Sequence, residues 1–142
     1  MPRLSYVVAR LDRALRREID ERVRPHGLTL ARYTALSVLS TRSGLSNAQL
    51  ARRSYITPQS MSQVITALER DGLIERLPDP SHGRILRARL TRKGRRVLAT
   101  CDEAVDALEQ EMLADVADAD RDTLIAELIG CVRRLGAGFG PH

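Results

Sequence analysis

The chain has very few aromatic residues: it contains no tryptophan, three tyrosines and one phenylalanine. Proteins that bind single-stranded DNA or RNA stack bases on several aromatic side chains of one surface. Here Tyr6, Tyr33, Tyr55 and Phe139 are widely separated along the sequence. The scarcity of aromatics therefore argues against a single-stranded nucleic acid as the ligand.

Cysteine and histidine are also rare. The two cysteines, Cys101 and Cys131, are too few for a disulfide scaffold, which favours a reducing cytoplasm. The three histidines, His26, His82 and His142, lie far apart and have no neighbours at the spacing of metal ligands. We therefore expect neither a metal ion nor another cofactor.

Catalytic motifs are missing as well. The sequence shows no Ser-His-Asp or Cys-His arrangement, no glycine-rich phosphate loop and no HExxH motif. An acidic run over residues 102–111 is better explained as the solvated face of a helix than as an acid–base pair. We predict that the chain is not an enzyme and has no catalytic residues.

No long apolar run is present. No segment approaches the ~20 apolar residues that a membrane-spanning helix needs. The N-terminal segment reaches charged residues at Arg3 and Arg10, too soon for a secretory signal. We expect a cytoplasmic protein without a membrane partner.

Charge, by contrast, is abundant and unevenly distributed. The formal net charge is +5, but residues 1–100 hold 20 basic and 8 acidic residues, whereas residues 101–142 hold 3 and 10. The first part is therefore at +12 and the second at −7. A basic body of this kind binds polyanions. Because stacking aromatics are scarce, we predict double-stranded DNA as the partner.

Residues 46–70 show two short helices with strong start signals. Ser46 is an N-cap, and Gln49 three residues later completes a capping box. Thr57 is a second N-cap, and Pro58 occupies the first helical position, where its missing N–H costs nothing. Two capped helices in close succession indicate a helix-turn-helix.

The second of these helices is amphipathic in a way that suits the major groove. Met61, Val64, Ile65 and Leu68 form one buried stripe. The opposite face carries short, uncharged, hydrogen-bonding side chains, which approach base edges closely. The predicted DNA contacts of this helix and its cap are Thr57, Gln59, Ser60, Ser62 and Gln63.

A basic hairpin follows the second helix. Residues 73–77 suit a strand, residues 79–83 are rich in turn formers, and residues 84–90 alternate as a return strand. We predict a wing in which Arg84, Arg87 and Arg89 approach phosphates or the minor groove. Arg52 and Arg53 are predicted at the phosphates beside the preceding helix. Two alternatives remain: the hairpin arginines are merely solvated, or Arg84 pairs with Asp79 to hold the wing's shape.

The flanking segments are predicted to be helical and to form a dimer. The element order is four helices, the hairpin and two more helices: a mainly α fold with a winged helix-turn-helix core. We predict a DNA-binding lobe over residues 29–90 and a helical dimerisation region over residues 1–28 and 91–142. The flanking helices carry long apolar stripes, which suit a homodimer. The alternative is that these stripes only cover the winged core within one chain.

Five short segments in the right order make the sequence resemble the MarR family of multiple-antibiotic-resistance regulators. They are Gly27-Leu28-Thr29, Asn47 to Ala51, Leu68 to Arg76, Asp79-Pro80, and Leu90 to Gly94. The resemblance implies a homodimeric winged-helix repressor of a pseudo-palindromic operator, released by a small ligand or by oxidation. The wing loop departs from the family pattern, because His82-Gly83-Arg84 leaves one arginine at the tip.

The family architecture implies a ligand pocket where the first, second and fifth helices meet the winged lobe. The candidate ligand-binding residues are Arg10, Leu11, Tyr33 and Leu98. An arginine beside an apolar cavity favours a small aromatic acid or phenol. The alternative is that the apolar residues among them simply fill the core.

Two other modes of action stay open. The first is a thiol- or peroxide-responsive regulator acting through Cys101 or Cys131, although Cys101 lies on an apolar stripe, as a core cysteine would. The second is a winged-helix module that coats DNA or binds proteins without a ligand switch.

Overall fold

The computed structural model describes residues 1–136, and these confirm the predicted mainly helical fold with a small hairpin. A 3-10 turn, Arg24–His26, follows the first helix. The helices and strands are α1 Leu4–Val23, α2 Leu30–Thr41, β1 Leu45–Ser46, α3 Asn47–Arg53, α4 Pro58–Arg70, β2 Ile74–Pro78, β3 Leu86–Leu90, α5 Arg92–Met112 and α6 Asp118–Arg134.

The helices of the winged segment begin at the predicted caps. Ser46 and Gln49 form a complete capping box at α3. The Thr57 hydroxyl accepts the backbone N–H of Ser60 at 3.1 Å and so caps α4. Such caps satisfy backbone donors that have no partner within the helix, and this fixes where each helix starts.

The start of α6 contrasts with the capped starts of α3 and α4. Ala117 is the N-cap, and its side chain makes no capping hydrogen bond. Asp118 is the first helical residue. Its negative charge there still complements the positive end of the helix dipole.

The sheet has three antiparallel strands in the order β1-β3-β2, one more than the predicted hairpin. The hairpin pairs Ile74 with Leu90 and Pro78 with Leu86. The additional strand, β1, pairs Leu45 with Ala88 on the other edge of β3. The base of the wing is thereby joined to the segment that leads into α3.

One hydrophobic core holds the winged segment together with the end of α1 and the start of α5. Its fully buried side chains include Val23 of α1, Leu36 of α2 and Cys101 of α5. The predicted stripe of α4 lies in the same core. The core residues of the winged segment include Leu45, Leu50, Met61, Ile65, Leu68, Leu73, Ile74, Ala88 and Leu90.

The start of α5 lies close against the start of β2. The Thr91 hydroxyl donates to the carbonyl of Gly72 at 2.6 Å and accepts the N–H of Gly94 at 3.0 Å. A Cβ at Gly94 would lie 2.0 Å from the Leu73 carbonyl oxygen. Only glycine allows this close approach of the two backbones.

The chain divides into two compact units, Met1–Val105 and Asp106–His142. In the second unit, the Arg121 guanidinium donates to the carbonyls of Leu113 at 3.0 Å and Val116 at 3.2 Å. These bonds stabilise the turn between α5 and α6. None of the helices within residues 1–136 is long and apolar enough to cross a membrane.

The outer helices leave much of their apolar surface exposed in the single chain. In the second unit α6 buries no residue, and Leu124, Ile125 and Leu128 are all exposed. In the first unit the N-terminal half of α1 is exposed in the same way. Its exposed apolar side chains include Leu4, Val7, Val8 and Leu11.

Candidate nucleic-acid interface and ligand cavity

The exposed face of α4 carries the predicted base-reading side chains. Gln59, Ser60, Ser62 and Gln63 are all exposed, whereas Met61 between them is fully buried. The helix is therefore anchored on one side and presents only small or amide side chains on the other. This geometry matches a recognition helix that lies in the major groove.

The polar side chains of α4 differ in whether they already make hydrogen bonds within the chain. Ser62 Oγ donates to the Pro58 carbonyl at 3.0 Å, and the Ser60 hydroxyl accepts a hydrogen bond from that of Thr57 at 3.0 Å. Within residues 1–136, Gln59 and Gln63 make no side-chain hydrogen bond. Their amides are free to pair with base edges.

Asn47 fixes α4 relative to α3. It lies in the first turn of α3, and its Nδ2 donates to the carbonyl of Pro58, the first residue of α4, at 3.0 Å. Its Oδ1 is buried and has no hydrogen-bond partner among the described residues. The hydrogen bond between the two helix starts restricts their relative movement.

The basic residues around α4 fall into two groups. Arg52, Arg53 and Arg84 are exposed and make no ion pair within residues 1–136. In contrast, Arg89 forms an ion pair with Glu75 at 2.6 Å, and Arg76 forms one with Glu69 at 2.9 Å. The three unpaired arginines lie at the end of α3 and in the loop at the wing tip.

The wing is held by a different arginine from the one that the sequence suggested. Asp79 does not pair with Arg84; its carboxylate accepts hydrogen bonds from Arg87 and from the backbone N–H groups of Ser81 and His82. These bonds keep the pKa of Asp79 below its usual value, the Ser81 N–H contributing most. The return strand begins at Leu86 and not at residue 84, and sequence alone did not show which arginine faces Asp79.

Arg87, whose contact with DNA stays a prediction, has several partners within the chain. Besides Asp79, its guanidinium donates to the Gly44 carbonyl at 2.8 Å and approaches Gln49 Oε1 at 3.4 Å. The side chain is half-buried. Arg87 joins the wing to β1 and to the capping box of α3.

A cavity of about 300 Å³ lies between the end of α2 and the start of α5. Its volume is at the lower end of those that hold small ligands. The wall contains one cation, one carboxylate and two hydroxyls among apolar side chains. The lining residues are Leu39, Ser40, Ser43, Leu90, Arg95, Leu98, Ala99 and Asp102.

Of the four predicted ligand residues, one lines this cavity and a second contacts a lining residue. Leu98 lines it, and the Tyr33 hydroxyl donates to Asp102 Oδ1 at 2.6 Å. Burial first, and then the Asp102 carboxylate, raise the pKa of Tyr33, so the phenol keeps its proton. Arg10 and Leu11 are exposed on α1, and Arg10 contacts Tyr6. Arg95, which the sequence analysis did not select, supplies the cation.

The two cysteines have contrasting surroundings. Cys101 is fully buried, and burial raises the pKa of its thiol above the usual value. A protonated, inaccessible thiol reacts slowly with oxidants. Cys131 on α6 is exposed in the single chain. Of the two, only Cys131 is accessible to peroxide.

A helix-turn-helix with a basic wing and a polar recognition helix defines a class of DNA-binding proteins. The profile of the MarR family matches residues 26–85. The HTH-type transcriptional repressor Rv2887 of Mycobacterium tuberculosis is 39% identical over 111 residues, covering 78% of this chain and 80% of that protein.

Solved structures that resemble this chain are also of MarR family proteins. The Mycobacterium tuberculosis Rv2887 complex with p-aminosalicylic acid has a TM-score of 0.77 and 32% identity, covering 95% of this chain and 99% of that one. The complex of Rv2887 with DNA has a TM-score of 0.75 and 31% identity, covering 90% and 96%. The chain belongs to the MarR family, and it is a winged helix-turn-helix, DNA-binding transcriptional regulator.

Proposed function

We propose that the chain is a homodimeric repressor that binds a pseudo-palindromic operator through α4 and the wing. The observation that carries this is the amide pair on α4: Gln59 and Gln63 are exposed and unbonded on a helix whose other face is buried. Glutamine pairs bidentately with adenine in the major groove. Arg52, Arg53 and Arg84 would bind the flanking phosphates. Such a repressor acts where the chromosome is, in the cytoplasm.

The dimer is supported by exposed apolar side chains on the two outer helices, each considered by itself. Leu4 and Leu11 of α1 are 70% and 41% exposed, and Ile125 of α6 is 51% exposed. Exposed apolar stripes of this length are unfavourable in water unless another protein surface covers them. A second copy supplies it, and two-fold symmetry then matches the two halves of the operator.

The effector that we propose is a small aromatic acid held in the cavity between α2 and α5. Arg95 would bind its carboxylate, while Leu39, Leu90 and Leu98 would contact the ring. The complexes of the relative Rv2887 with salicylic acid and p-aminosalicylic acid support this class of ligand. A ligand at the junction of α2, β3 and α5 would change the spacing of the two recognition helices, which must match about one DNA turn of ~34 Å.

Quantitative DNA binding tests the proposal. Binding to the region upstream of the protein's own gene would be compared with a scrambled duplex at physiological salt. A specific regulator should prefer its operator by ~10³-fold or more. Equal affinity for both duplexes would instead indicate a DNA-coating protein.

Adding salicylate to the operator complex tests the effector, and adding peroxide tests a switch at Cys131.

A further inference from the structure

The turn between α3 and α4 contains a tyrosine in a conformation that normally requires glycine. Tyr55 has a φ of 57°, and it is the one non-glycine residue with positive φ among residues 1–136. The left-handed region brings the Cβ of an L-residue close to the following carbonyl oxygen. For a bulky side chain such a backbone angle is an outlier.

The hydrogen bonds around Tyr55 define a Schellman motif at the end of α3. The Ile56 N–H donates to the Ala51 carbonyl at 3.2 Å, and the Tyr55 N–H donates to the Arg52 carbonyl at 3.4 Å. Tyr55 occupies the position after the C-cap, where the left-handed conformation is built into the motif. The backbone there would accept glycine or asparagine without strain.

The end of α4 shows the same motif with the expected residue. The Leu73 N–H donates to the Leu68 carbonyl at 2.9 Å, and the Gly72 N–H donates to the Glu69 carbonyl at 3.0 Å. Gly72 has a φ of 73°. The chain therefore uses glycine at this position after the recognition helix, but a tyrosine between the two helices of the helix-turn-helix.

Packing does not explain the tyrosine. Its side chain is 76% exposed, while the neighbouring Ile56 packs against the core. Tyr55 makes no side-chain hydrogen bond within the described part of the chain. A strained residue that contributes little to packing is a sign of function.

The position of Tyr55 indicates what it contacts. It lies two residues before Thr57, the cap of the recognition helix, and two residues after Arg53, which with Arg52 forms a pair of exposed and unpaired cations. When a recognition helix begins in the major groove, the turn before it lies beside the DNA backbone. Tyrosine hydroxyls are common donors to phosphate oxygens.

We propose that Tyr55 is a DNA-backbone contact whose phenolic hydroxyl donates a hydrogen bond to a phosphate flanking the major groove that α4 enters. The proposal rests on the proposed function, because it adds a residue to the same DNA-binding surface. The strained residue is exposed in the turn that follows Arg52 and Arg53, so its phenol is open to a ligand. Because the contact is neutral and made to phosphate, it strengthens binding to every operator sequence alike.

Two substitutions separate the hydroxyl from the backbone strain. We expect Tyr55→Phe to weaken operator binding roughly 10-fold or more, since each half-site loses a hydrogen bond to a charged oxygen. The fold-loss should be the same at low and high salt, because no cation is removed. We expect Tyr55→Asn to lose at least as much affinity while raising Tm by roughly 1–4 °C, since asparagine tolerates the left-handed region.

Two controls separate the test of Tyr55 from the test of the proposed function. Tyr6→Phe removes another exposed phenolic hydroxyl, on α1, and should leave operator affinity unchanged. Wild-type preference for the operator over a scrambled duplex establishes the function separately. Unchanged affinity of Tyr55→Phe would overturn the proposal, as would a fall in Tm for Tyr55→Asn, which would make the tyrosine a stabilising residue.

Discussion

Arg87 and Asp79 form an ion pair across the wing hairpin, and the same guanidinium reaches out of the hairpin to the carbonyl of Gly44. Asp79 is only 6% exposed and the Arg87 side chain is 38% exposed, so the contact is partly shielded from solvent. The wing, β1 and the start of α3 therefore meet at one side chain. This contact therefore links the wing to the segment that leads into α3.

The first prediction concerns this ion pair. Arg87→Ala should lower Tm by a few degrees and weaken operator binding, because the buried Asp79 carboxylate loses its cation. The salt dependence of binding should not change, since no phosphate contact is lost. Asp79→Ala should have a similar effect, and the double variant should lose little more than either single one. Thermal unfolding and binding titrations over a salt series measure both effects.

Arg84→Ala is the matched control at the wing tip. Arg84 is exposed and unpaired within residues 1–136, so its removal should leave Tm unchanged. It should reduce the salt slope of operator binding by about one for each phosphate contact that is lost. If Arg87→Ala reduced the slope and left Tm unchanged, Arg87 would be a phosphate contact and the ion pair would have no structural role.

The second prediction is a pH dependence that follows from the lowered pKa of Asp79. A carboxyl whose pKa is lower in the folded state than in the unfolded state stabilises the fold above the unfolded value of ~3.9. This contribution is lost as pH falls through the folded-state value. The stability difference between wild type and Asp79→Asn should therefore be constant above about pH 5 and shrink below about pH 4. Urea unfolding across this range measures it, and a difference that grows in acid would contradict it.

Local signals allowed much of the fold to be predicted from sequence. Ser46 with Gln49, and Thr57 with Pro58, gave the helix starts because capping depends on neighbouring residues only. The stripe that contains Met61 identified the buried face of α4 because it depends on helix periodicity.

The features that sequence did not reveal depend on contacts between distant segments. Strand β1 has only two residues, and it exists because Leu45 pairs with Ala88, more than forty positions away. The partner of Asp79 depends on the register of the hairpin, which a turn-rich loop does not fix. Arg95 was missed because only the fold places it in one wall with Leu39 and Ser40.

The third prediction concerns base recognition by α4. Gln63→Ala should relax the preference at one base pair in each half-site, because a bidentate contact worth ~1–3 kcal/mol of discrimination is lost. Tm should stay unchanged, since the side chain is exposed and makes no hydrogen bond in the folded chain. Selection from a randomised operator library measures the preference. If neither Gln63→Ala nor Gln59→Ala altered it, α4 would not read bases through these amides.

The fourth prediction concerns the junction between α5 and β2. Gly94→Ala should destabilise the fold by ~1–3 kcal/mol or more, because the added methyl group overlaps the Leu73 carbonyl and the backbones must separate. Gly83→Ala is the control, since nothing lies within 4 Å of the new Cβ. Its effect should be within about 0.5 kcal/mol. Equal stability of the two variants in urea unfolding would show that α5 begins elsewhere.

The fifth prediction tests the cavity with salicylate as the probe. Arg95→Gln should raise the salicylate concentration needed for half-release of the operator by about 5- to 20-fold, because the carboxylate loses a charge-assisted hydrogen bond. Arg96→Gln removes a neighbouring exposed arginine that does not line the cavity, so it should leave the response unchanged. Both variants remove one positive charge from α5, so a general electrostatic effect would alter them equally. An equal response of the two variants would therefore place the aromatic acid outside this cavity.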